Sequence, residues 1–240
     1  MKRVLSVVLA LTLVLALAGS ASAAPAEDED PLTAIWPSEI YEQAKEVNPS
    51  KKTVDILLVV DMQKDFVDGA LGTAEAEAIV PNVVAKIEEY KKAGNPIIAT
   101  LDTHEGNYMD TQEGKNLPVV HCVRYTEGWL FDRAVSEALA GYENLVVVEK
   151  PTFGSSDLVA IMGEYVATYG EPYVNLEIIG LCTDICVVSN ALVQKAFYPE
   201  MPISLDASCC AAVTPATHEA ALDTMTMCQI NITNRAEPES

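Results

Sequence analysis

Residues 54–62 of this chain, VDILLVVDM, decide its fold class. A continuous run of β-branched and other apolar residues predicts a strand buried on both faces, as parallel strands are when helices cover both sides of the sheet. Shorter runs of the same kind predict further strands at residues 97–101, 145–148, 176–181, 203–205 and 230–232.

Helical periodicity fills most of the segments between these strands. Apolar residues recur at helical spacing in residues 78–93, 129–140, 157–169, 184–197 and 215–227. Gly94 stops the first of these helices, and Thr214 is the expected N-cap of the last. Strands that alternate with helices form βαβ units. The sequence therefore predicts an α/β three-layer sandwich with a mostly parallel, doubly wound, Rossmann-like sheet.

The stretch at residues 103–128 shows neither a strand nor a helix pattern. It is much longer than the connections of about 2–6 residues that are common in α/β units. Long ordered loops in compact domains usually serve binding or catalysis, so we expect this loop to contribute to a functional site.

The N-terminus has the order of a secretory signal peptide. Lys2 and Arg3 precede an apolar run at residues 4–17, and Ala21-Ser22-Ala23 supplies small residues for cleavage. A membrane anchor is the alternative, but a span needs about 20 apolar residues and this run is shorter. We therefore expect residues 1–23 to be removed and the protein to be exported, either to a periplasm or out of the cell.

The remaining chain divides into an extension and a domain. Residues 24–52 are expected to form a linker and N-terminal extension, with a short helix at residues 37–47, and residues 53–240 to form the domain. The chain carries 35 acidic and 15 basic residues, a formal net charge of −20. Binding to phosphates requires clustered Lys and Arg. The sequence therefore argues against nucleic acid as a partner, and against a membrane once the signal peptide has been cleaved. It leaves open whether the protein forms a homo-oligomer.

Six cysteines occur at positions 122, 182, 186, 209, 210 and 228. An even number in an exported protein can indicate disulfides, but disulfide scaffolds are short and loop-rich. These cysteines lie in apolar, regular segments of a long chain. We interpret most of them as buried free thiols, one of which is reactive.

Reactive side chains follow the predicted strands. Asp61 ends the first strand, Asp102 ends the second with His104 just beyond it, Lys150 follows the third, and Cys186 begins the helix after the fourth. Each alone has an ordinary structural explanation: an aspartate after a strand is usually a turn former, a lysine there is usually solvated, and a cysteine in an apolar helix is usually a small core residue. Ligands bind outside the carboxyl ends of parallel strands, where all of these residues converge. Together they indicate a catalytic site.

These residue types suit nucleophilic catalysis by a thiol. A helix N-terminus and a nearby cation lower a cysteine pKa, so we expect the helix that starts near Cys186, together with Lys150, to favour the thiolate. Asp61 could accept the thiol proton and later deliver it to a leaving group. Backbone N–H groups at the helix start could hold an oxyanion.

Four motifs, in order, resemble those of the nicotinamidase/isochorismatase-like cysteine hydrolase superfamily. They are VVDMQKDFVDGALG at 59–72, EKPTFGSS at 149–156, GLCTDICV at 180–187 and DASCCAAVTPATHEAAL at 206–222. The resemblance extends over residues 53–232, and four ordered motifs are far more specific than one. It implies an isochorismatase-like fold.

The resemblance also implies roles for individual residues. Asp61, Lys150 and Cys186 match the family's catalytic triad, and the Leu181–Cys182 peptide matches its cis bond. The backbone N–H groups of Cys182 and Cys186 match the family's oxyanion hole. Relatives that act on isochorismate lack the nucleophilic cysteine, so the presence of Cys186 favours amide hydrolysis.

A metal site is implied by the same resemblance. Asp102, His104 and His121 resemble the metal ligands of nicotinamidases, and such a set suits Zn²⁺, Mn²⁺ or Fe²⁺ with open positions. Asn107-Tyr108 stands where a further histidine is common, and residues 117–120 lack a tryptophan that often precedes the last ligand. A metal-free cysteine hydrolase is therefore the alternative. No organic cofactor is expected.

Two aromatic side chains complete the interpretation. Phe66 is a candidate wall for a flat substrate, although a loop aromatic is as often simple packing. His218, the third histidine of the chain, opens a predicted helix and is interpreted as a surface residue.

The leading hypothesis is an amidohydrolase that releases ammonia from a small carboxamide, with nicotinamide as the first candidate. Another small amide or a carbamoyl compound is the alternative within this class. Two alternatives are not hydrolases: a catalytically silent binding protein and a disulfide-stabilised structural module.

Overall fold

The computed structural model describes residues 52–236, which form one sheet covered by helices on both faces. The strands are β1 Val54–Val60, β2 Ile97–Asp102, β3 Leu145–Lys150, β4 Val174–Leu181, β5 Ile203–Ala211 and β6 Asn231–Thr233. The α-helices are α1 Lys64–Val67, α2 Ala74–Ala93, α3 Gln112–Asn116, α4 Arg133–Leu139, α5 Ser156–Tyr169, α6 Val188–Phe197 and α7 Pro215–Met227. Between residues 52 and 236, no helix has the length and apolar character needed to cross a bilayer.

All strand pairings are parallel, in the order β3-β2-β1-β4-β5-β6. One core packs α5, α6 and α7 against the sheet, and the other packs α1, α2 and α4 against the opposite face. Burial on both faces is why β1 consists of apolar residues almost without interruption. The predicted three-layer, doubly wound α/β sandwich is confirmed.

The strand order reverses between β1 and β4, where open α/β sheets bind ligands at the strands' carboxyl ends. Gly180 in β4 pairs with Val60 in β1 and has a φ of 117°, a value that side chains rarely allow. A Cβ there would also clash with the Val60 carbonyl oxygen. Glycine thus lets the two strands approach closely just before the residues that form the site.

Some element boundaries differ from those expected. α2 begins at Ala74 rather than 78 because the Thr73 side chain accepts a hydrogen bond from the Ala76 amide, although Pro81 lies in the helix. α4 begins at Arg133 rather than 129 because the Asp132 carboxylate caps it. β5 runs on to Ala211, six residues past its expected end, because residues 210 and 211 pair with β4.

The long loop carries more structure than the sequence indicated. It contains a 3₁₀ turn at Tyr108–Asp110 and α3, and its return is pinned where the Asp65 carboxylate accepts the Cys122 amide at 2.8 Å. The signal peptide and the short helix expected at 37–47 lie outside the described residues.

Candidate active site

The three residues of the expected catalytic triad lie together, fully or almost fully buried. Lys150 Nζ lies 2.6 Å from Asp61 Oδ2 and 3.4 Å from Cys186 Sγ. Lys150 also donates to the Thr152 carbonyl at 3.1 Å, so its ammonium group is held from several sides. The structure brings a carboxylate, an ammonium and a thiol into one contact cluster at the carboxyl ends of β1, β3 and β4.

The position of Asp61 depends on a left-handed turn at the end of β1. Its φ of 46° is uncommon for a residue with a side chain but is tolerated by aspartate. The Thr100 hydroxyl of β2 accepts the Asp61 amide at 3.1 Å and donates to Asp61 Oδ1 at 2.6 Å. Asp61 Oδ2 is buried and contacts the Lys150 ammonium group at 2.6 Å. The Asp61 carboxylate also lies within hydrogen-bond reach of the Cys186 thiol, so it is the candidate acceptor for the thiol proton.

Cys186 lies in a π-helical turn, Thr183–Val187, that leads into α6, rather than in the first turn of an α-helix. Burial raises the pKa of the Cys186 thiol well above its usual value, and the negative charge of Asp61 adds to this effect. The positive charge of Lys150 acts in the opposite direction but is outweighed. The expectation of a lowered thiol pKa was wrong, because a sequence does not show how completely a side chain is desolvated.

The two charged partners are shifted as well. Burial raises the pKa of Asp61 above 3.8, and the nearby Lys150 charge opposes the shift without cancelling it. Burial alone would lower the pKa of Lys150, but the negative charges of Asp61 and Asp102, and of Cys186 when it is ionised, outweigh it and raise this pKa. The resting site therefore holds an ammonium, a thiol and a carboxylate with a stronger than usual affinity for a proton.

A second polar cluster adjoins the triad through Asp102. Asp102 Oδ1 lies 3.4 Å from Lys150 Nζ, and Oδ2 lies 3.0 Å from His104 Nε2 and 3.5 Å from His121 Nε2. The Gln63 side chain accepts the Asp102 amide at 2.7 Å and donates to the Asp102 carbonyl at 2.9 Å. Gln63, which was not among the residues expected at the site, thus fixes the backbone of Asp102, whose carboxylate contacts both Lys150 and the histidines.

Glu113 joins this cluster as a fourth acidic or imidazole side chain. Its Oε1 lies 3.5 Å from His104 Nε2 and 3.7 Å from His121 Nε2. One ligand atom from each of the four side chains lies within 4.8 Å of all the others. Glu113 is presented by α3, where a Cβ on the next residue, Gly114, would clash with the Tyr108 carbonyl oxygen. The sequence analysis missed Glu113; an acidic residue in the loop between His104 and His121 was the available signal.

The cluster fits a divalent transition metal. Donors 2.0–2.2 Å from a tetrahedral ion lie about 3.3–3.6 Å apart, close to the four distances of 3.0, 3.5, 3.5 and 3.7 Å between carboxylate oxygens and imidazole nitrogens. His104 Nε2 is buried and faces the Asp102 and Glu113 carboxylates at 3.0 and 3.5 Å, so a cation shared by these three side chains could take the place of the imidazole proton. His121 Nδ1 bonds the Val119 carbonyl at 2.8 Å, which leaves its Nε2 facing the cluster. Tyr108 contributes its ring, not a ligand, by packing against both histidines.

A cavity of about 160 Å³ opens in front of Cys186. An apolar cavity of about 150 Å³ holds benzene, so this one has room for a single ring. Its lining is formed by Phe66, Leu71, Thr73, Ala76, Asp102, Glu113, Leu117, His121, Phe153, Leu181, Cys182, Ile185, Cys186, Ala212 and Val213. Cys186 therefore faces the same mostly apolar space as Asp102, Glu113 and His121 of the second polar cluster.

Phe66 and Phe153 supply the aromatic walls. Phe66 belongs to α1, a helix that the sequence analysis did not predict, and its ring packs edge-on against His121. Phe153, which was not singled out, is 44% exposed where the cavity opens.

The other cysteines and His218 also have defined places. The six cysteines are free, where buried free thiols were expected for most of them, and Cys182 and Cys228 are only partly buried. Cys182 lines the cavity after the cis Leu181–Cys182 peptide. Burial and the charge of Asp184 raise the pKa of Cys182 to about 12, so this thiol stays protonated. His218 is not a simple surface residue: it is half-buried, and its Nδ1 lies 2.9 Å from the hydroxyl of Thr183 in the nucleophile turn.

The isochorismatase domain model matches residues 55–237, which is most of the chain. The chain belongs to the isochorismatase-like cysteine hydrolase superfamily. No curated protein matches it.

Solved structures of this superfamily share the fold. A pyrazinamidase of Pyrococcus horikoshii in complex with zinc is 28% identical, with a TM-score of 0.62 over 75% of this chain and 99% of that one. A nicotinamidase/pyrazinamidase from Bacillus subtilis is 23% identical, with a TM-score of 0.65 over 75% and 100%. N-carbamoylsarcosine amidase from Thermoplasma acidophilum is 22% identical, with a TM-score of 0.59 over 78% and 99%.

Proposed function

We propose that this protein is an amidohydrolase that releases ammonia from a small, neutral, aromatic carboxamide through a thioester on Cys186. The observation that carries the proposal is the contact of Lys150 Nζ with both Asp61 Oδ2 and Cys186 Sγ beside a ring-sized cavity. Nicotinamide is the first candidate substrate, in line with the pyrazinamidase and nicotinamidase that share the fold.

The first half of the reaction forms the thioester. Asp61 Oδ2 takes the thiol proton while Cys186 Sγ attacks the carbonyl carbon of the amide, and the oxyanion receives hydrogen bonds from the backbone N–H groups of Cys182 and Cys186. Asp61 then returns its proton to the amide nitrogen as the C–N bond breaks and ammonia leaves. Lys150 keeps its charge and holds the carboxylate against the thiol.

The second half releases the acid. Water gives a proton to Asp61 and attacks the thioester carbonyl, and Cys186 leaves as a thiol after regaining that proton. A thiol at rest is compatible with this cycle because Asp61, whose pKa is raised by burial, is the stronger proton acceptor that the site needs.

Asp102, His104, Glu113 and His121 are the residues that would hold a Zn²⁺, Mn²⁺ or Fe²⁺ ion. With four protein ligands already in place, a bound ion would take a ring nitrogen of the substrate as a fifth ligand, a coordination number that these ions can adopt. Phe66, next to His121, then forms one wall for the ring.

The lining of the cavity favours a neutral ring over a carbamoyl compound that carries a free carboxylate. None of the described residues that line the cavity is an arginine or a lysine, so no side chain of the lining offers a counter-charge to a substrate carboxylate, and only a bound ion could supply one. The carbamoyl alternative thus requires a partner for the carboxylate that the lining does not provide.

Ammonia release from a panel of amides tests the proposal. The panel contains nicotinamide, pyrazinamide, benzamide, acetamide and N-carbamoylsarcosine, each with zinc-loaded and with chelated protein. We expect the aromatic carboxamides to be the best substrates and chelation to raise the KM of nicotinamide and pyrazinamide, whose rings carry a nitrogen, more than that of benzamide. Turnover confined to the carbamoyl compound would refute the proposed substrate class, and no turnover of any amide would refute the function.

The acid limb of the pH profile of kcat/KM should reflect the raised pKa of the buried Asp61. Activity requires the carboxylate, so the rate falls as pH drops through the pKa of Asp61, which lies above the ordinary 3.8. The Thr100 hydroxyl helps to lower this pKa, so Thr100→Val should move the acid limb to higher pH. An acid limb at or below pH 4, or a shift to lower pH in the variant, would contradict this assignment.

Glu113→Gln should weaken zinc binding about tenfold or more, because the change removes a charged ligand of the cluster. Competition with a chelator of known zinc affinity measures the effect. The matched control is Glu105→Gln, since Glu105 is exposed and pairs with Arg124 at 2.9 Å. Equal zinc affinity in both variants would show that Glu113 is not a ligand.

The proposal includes export of the mature protein, on the strength of the basic, apolar and small-residue order of residues 1–23. Sequencing the N-terminus of the protein from its native source should find a start near Ala24. A cytosolic protein that retains Met1 or Lys2 would contradict this expectation.

A further inference from the structure

Asn190 lies one helical turn after Cys186 and is fully buried. Its Nδ2 donates to the Cys186 carbonyl at 2.9 Å and to the Phe153 carbonyl at 3.1 Å. Its Oδ1 accepts the Ser155 amide at 2.9 Å. A single side-chain amide therefore joins the nucleophile turn to the loop between β3 and α5.

That loop carries one wall of the cavity. Phe153 lines the cavity on the loop, while Lys150 of the triad immediately precedes it. Lys150 holds the start of the loop through the Thr152 carbonyl, and Asn190 holds its middle and end through Phe153 and Ser155. The backbone of Phe153 thus has a fixed position relative to Cys186.

We infer that Asn190 is a positioning residue that sets the distance between the Phe153 ring and the nucleophile, and so selects carboxamides that carry a flat ring. The inference deepens the proposed function and rests on it for the substrate class. Asn190 itself touches the backbone of Cys186 rather than the reacting atoms.

Burial makes this arrangement specific for asparagine. The side chain uses both amide protons and one oxygen lone pair. The Cys186 carbonyl and the Ser155 amide that it serves are buried, where water is a poor substitute, and the Phe153 carbonyl is partly buried. Threonine at position 190 can still donate to the carbonyl four residues earlier, which is that of Cys186. It is too short to reach Phe153 and Ser155. Asn190→Thr therefore keeps the hydrogen bond to the Cys186 carbonyl and removes those to Phe153 and Ser155.

The test measures benzamide binding calorimetrically in zinc-loaded protein that carries Cys186→Ala, so that no turnover interferes. Asn190→Thr and Phe153→Ala are each expected to weaken binding about fivefold to tenfold, the range for loss of one aromatic contact. If Asn190 acts through Phe153, the two changes together weaken binding no more than either alone. Asn175→Thr, at a residue that bonds Asp55 on the surface, is the matched control and should leave binding unchanged.

Additive losses of benzamide affinity in the double variant would overturn the inference, and so would unchanged benzamide binding in Asn190→Thr. Failure of the protein that carries only Cys186→Ala to bind benzamide would overturn it as well. In protein with Cys186 intact, Asn190→Thr should raise the KM for benzamide and leave kcat/KM for acetamide unchanged. An equal fall of kcat/KM for both amides would indicate a merely structural role of Asn190 and would also overturn the inference. Binding that follows the expected pattern without any ammonia release would refute the amidase function and leave the role of Asn190 standing.

Discussion

Cys186→Ala is expected to reduce ammonia release by at least about a thousandfold while the fold survives. Removal of a nucleophile eliminates the covalent route and leaves only the rate supported by binding and polar groups. The thiol is small and lies at the edge of a cavity, so replacing it with a methyl group removes little packing. Steady-state ammonia release and a thermal melt together measure the two effects.

Cys210→Ala is the matched control for this variant. Cys210 is equally buried and belongs to the same core as Cys186, but it lies in β5 and does not line the cavity. Full activity of the Cys210 variant beside an inactive Cys186 variant locates the chemistry. Substantial activity in Cys186→Ala would end the nucleophile assignment.

Asp61→Asn is expected to lower turnover to a similar degree and also to destabilise the protein. An amide cannot accept the thiol proton, so the first step loses its base. Removal of one partner from a buried ion pair typically costs about 3–5 kcal/mol, and Lys150 would keep only Asp102, at 3.4 Å, as a nearby carboxylate. Ammonia release at a temperature well below the variant's Tm measures the catalytic effect apart from unfolding.

Asp206→Asn separates the two effects of that change. Asp206 is also buried, and it pairs with Lys86 at 3.2 Å away from the cavity lining. Its substitution should lower the free energy of unfolding and leave kcat unchanged. Loss of turnover in proportion to loss of stability in both variants would mean that Asp61 has no catalytic role of its own.

The sheet and the position of the site were predictable because both depend on local pattern. Apolar runs such as residues 54–60 mark strands buried on both faces, and in a parallel sheet their carboxyl ends must lie on one edge. Asp61, Asp102 and Lys150 follow such runs directly, so their convergence required no knowledge of side-chain contacts.

The supporting residues were not predictable because their roles arise from tertiary contacts. Gln63 and Asn190 look like ordinary polar residues beside a strand end and within a helix, and only the folded chain shows what they bond. Glu113 is one of many acidic residues and comes within reach of Asp102, His104 and His121 only because the loop folds back. The pKa of Cys186 went the opposite way from the expectation because burial, a property of the whole fold, outweighs Lys150.

The most direct test of the account is the identity of the residue that becomes acylated during turnover. Zinc-loaded protein is mixed with the best carboxamide of the panel, quenched in acid at a series of short times, digested and analysed by mass spectrometry. We expect an acyl group on the peptide that contains Cys186, formed at least as fast as ammonia is released. An acyl group on another residue, or turnover with Cys186 unmodified at every time, would contradict it.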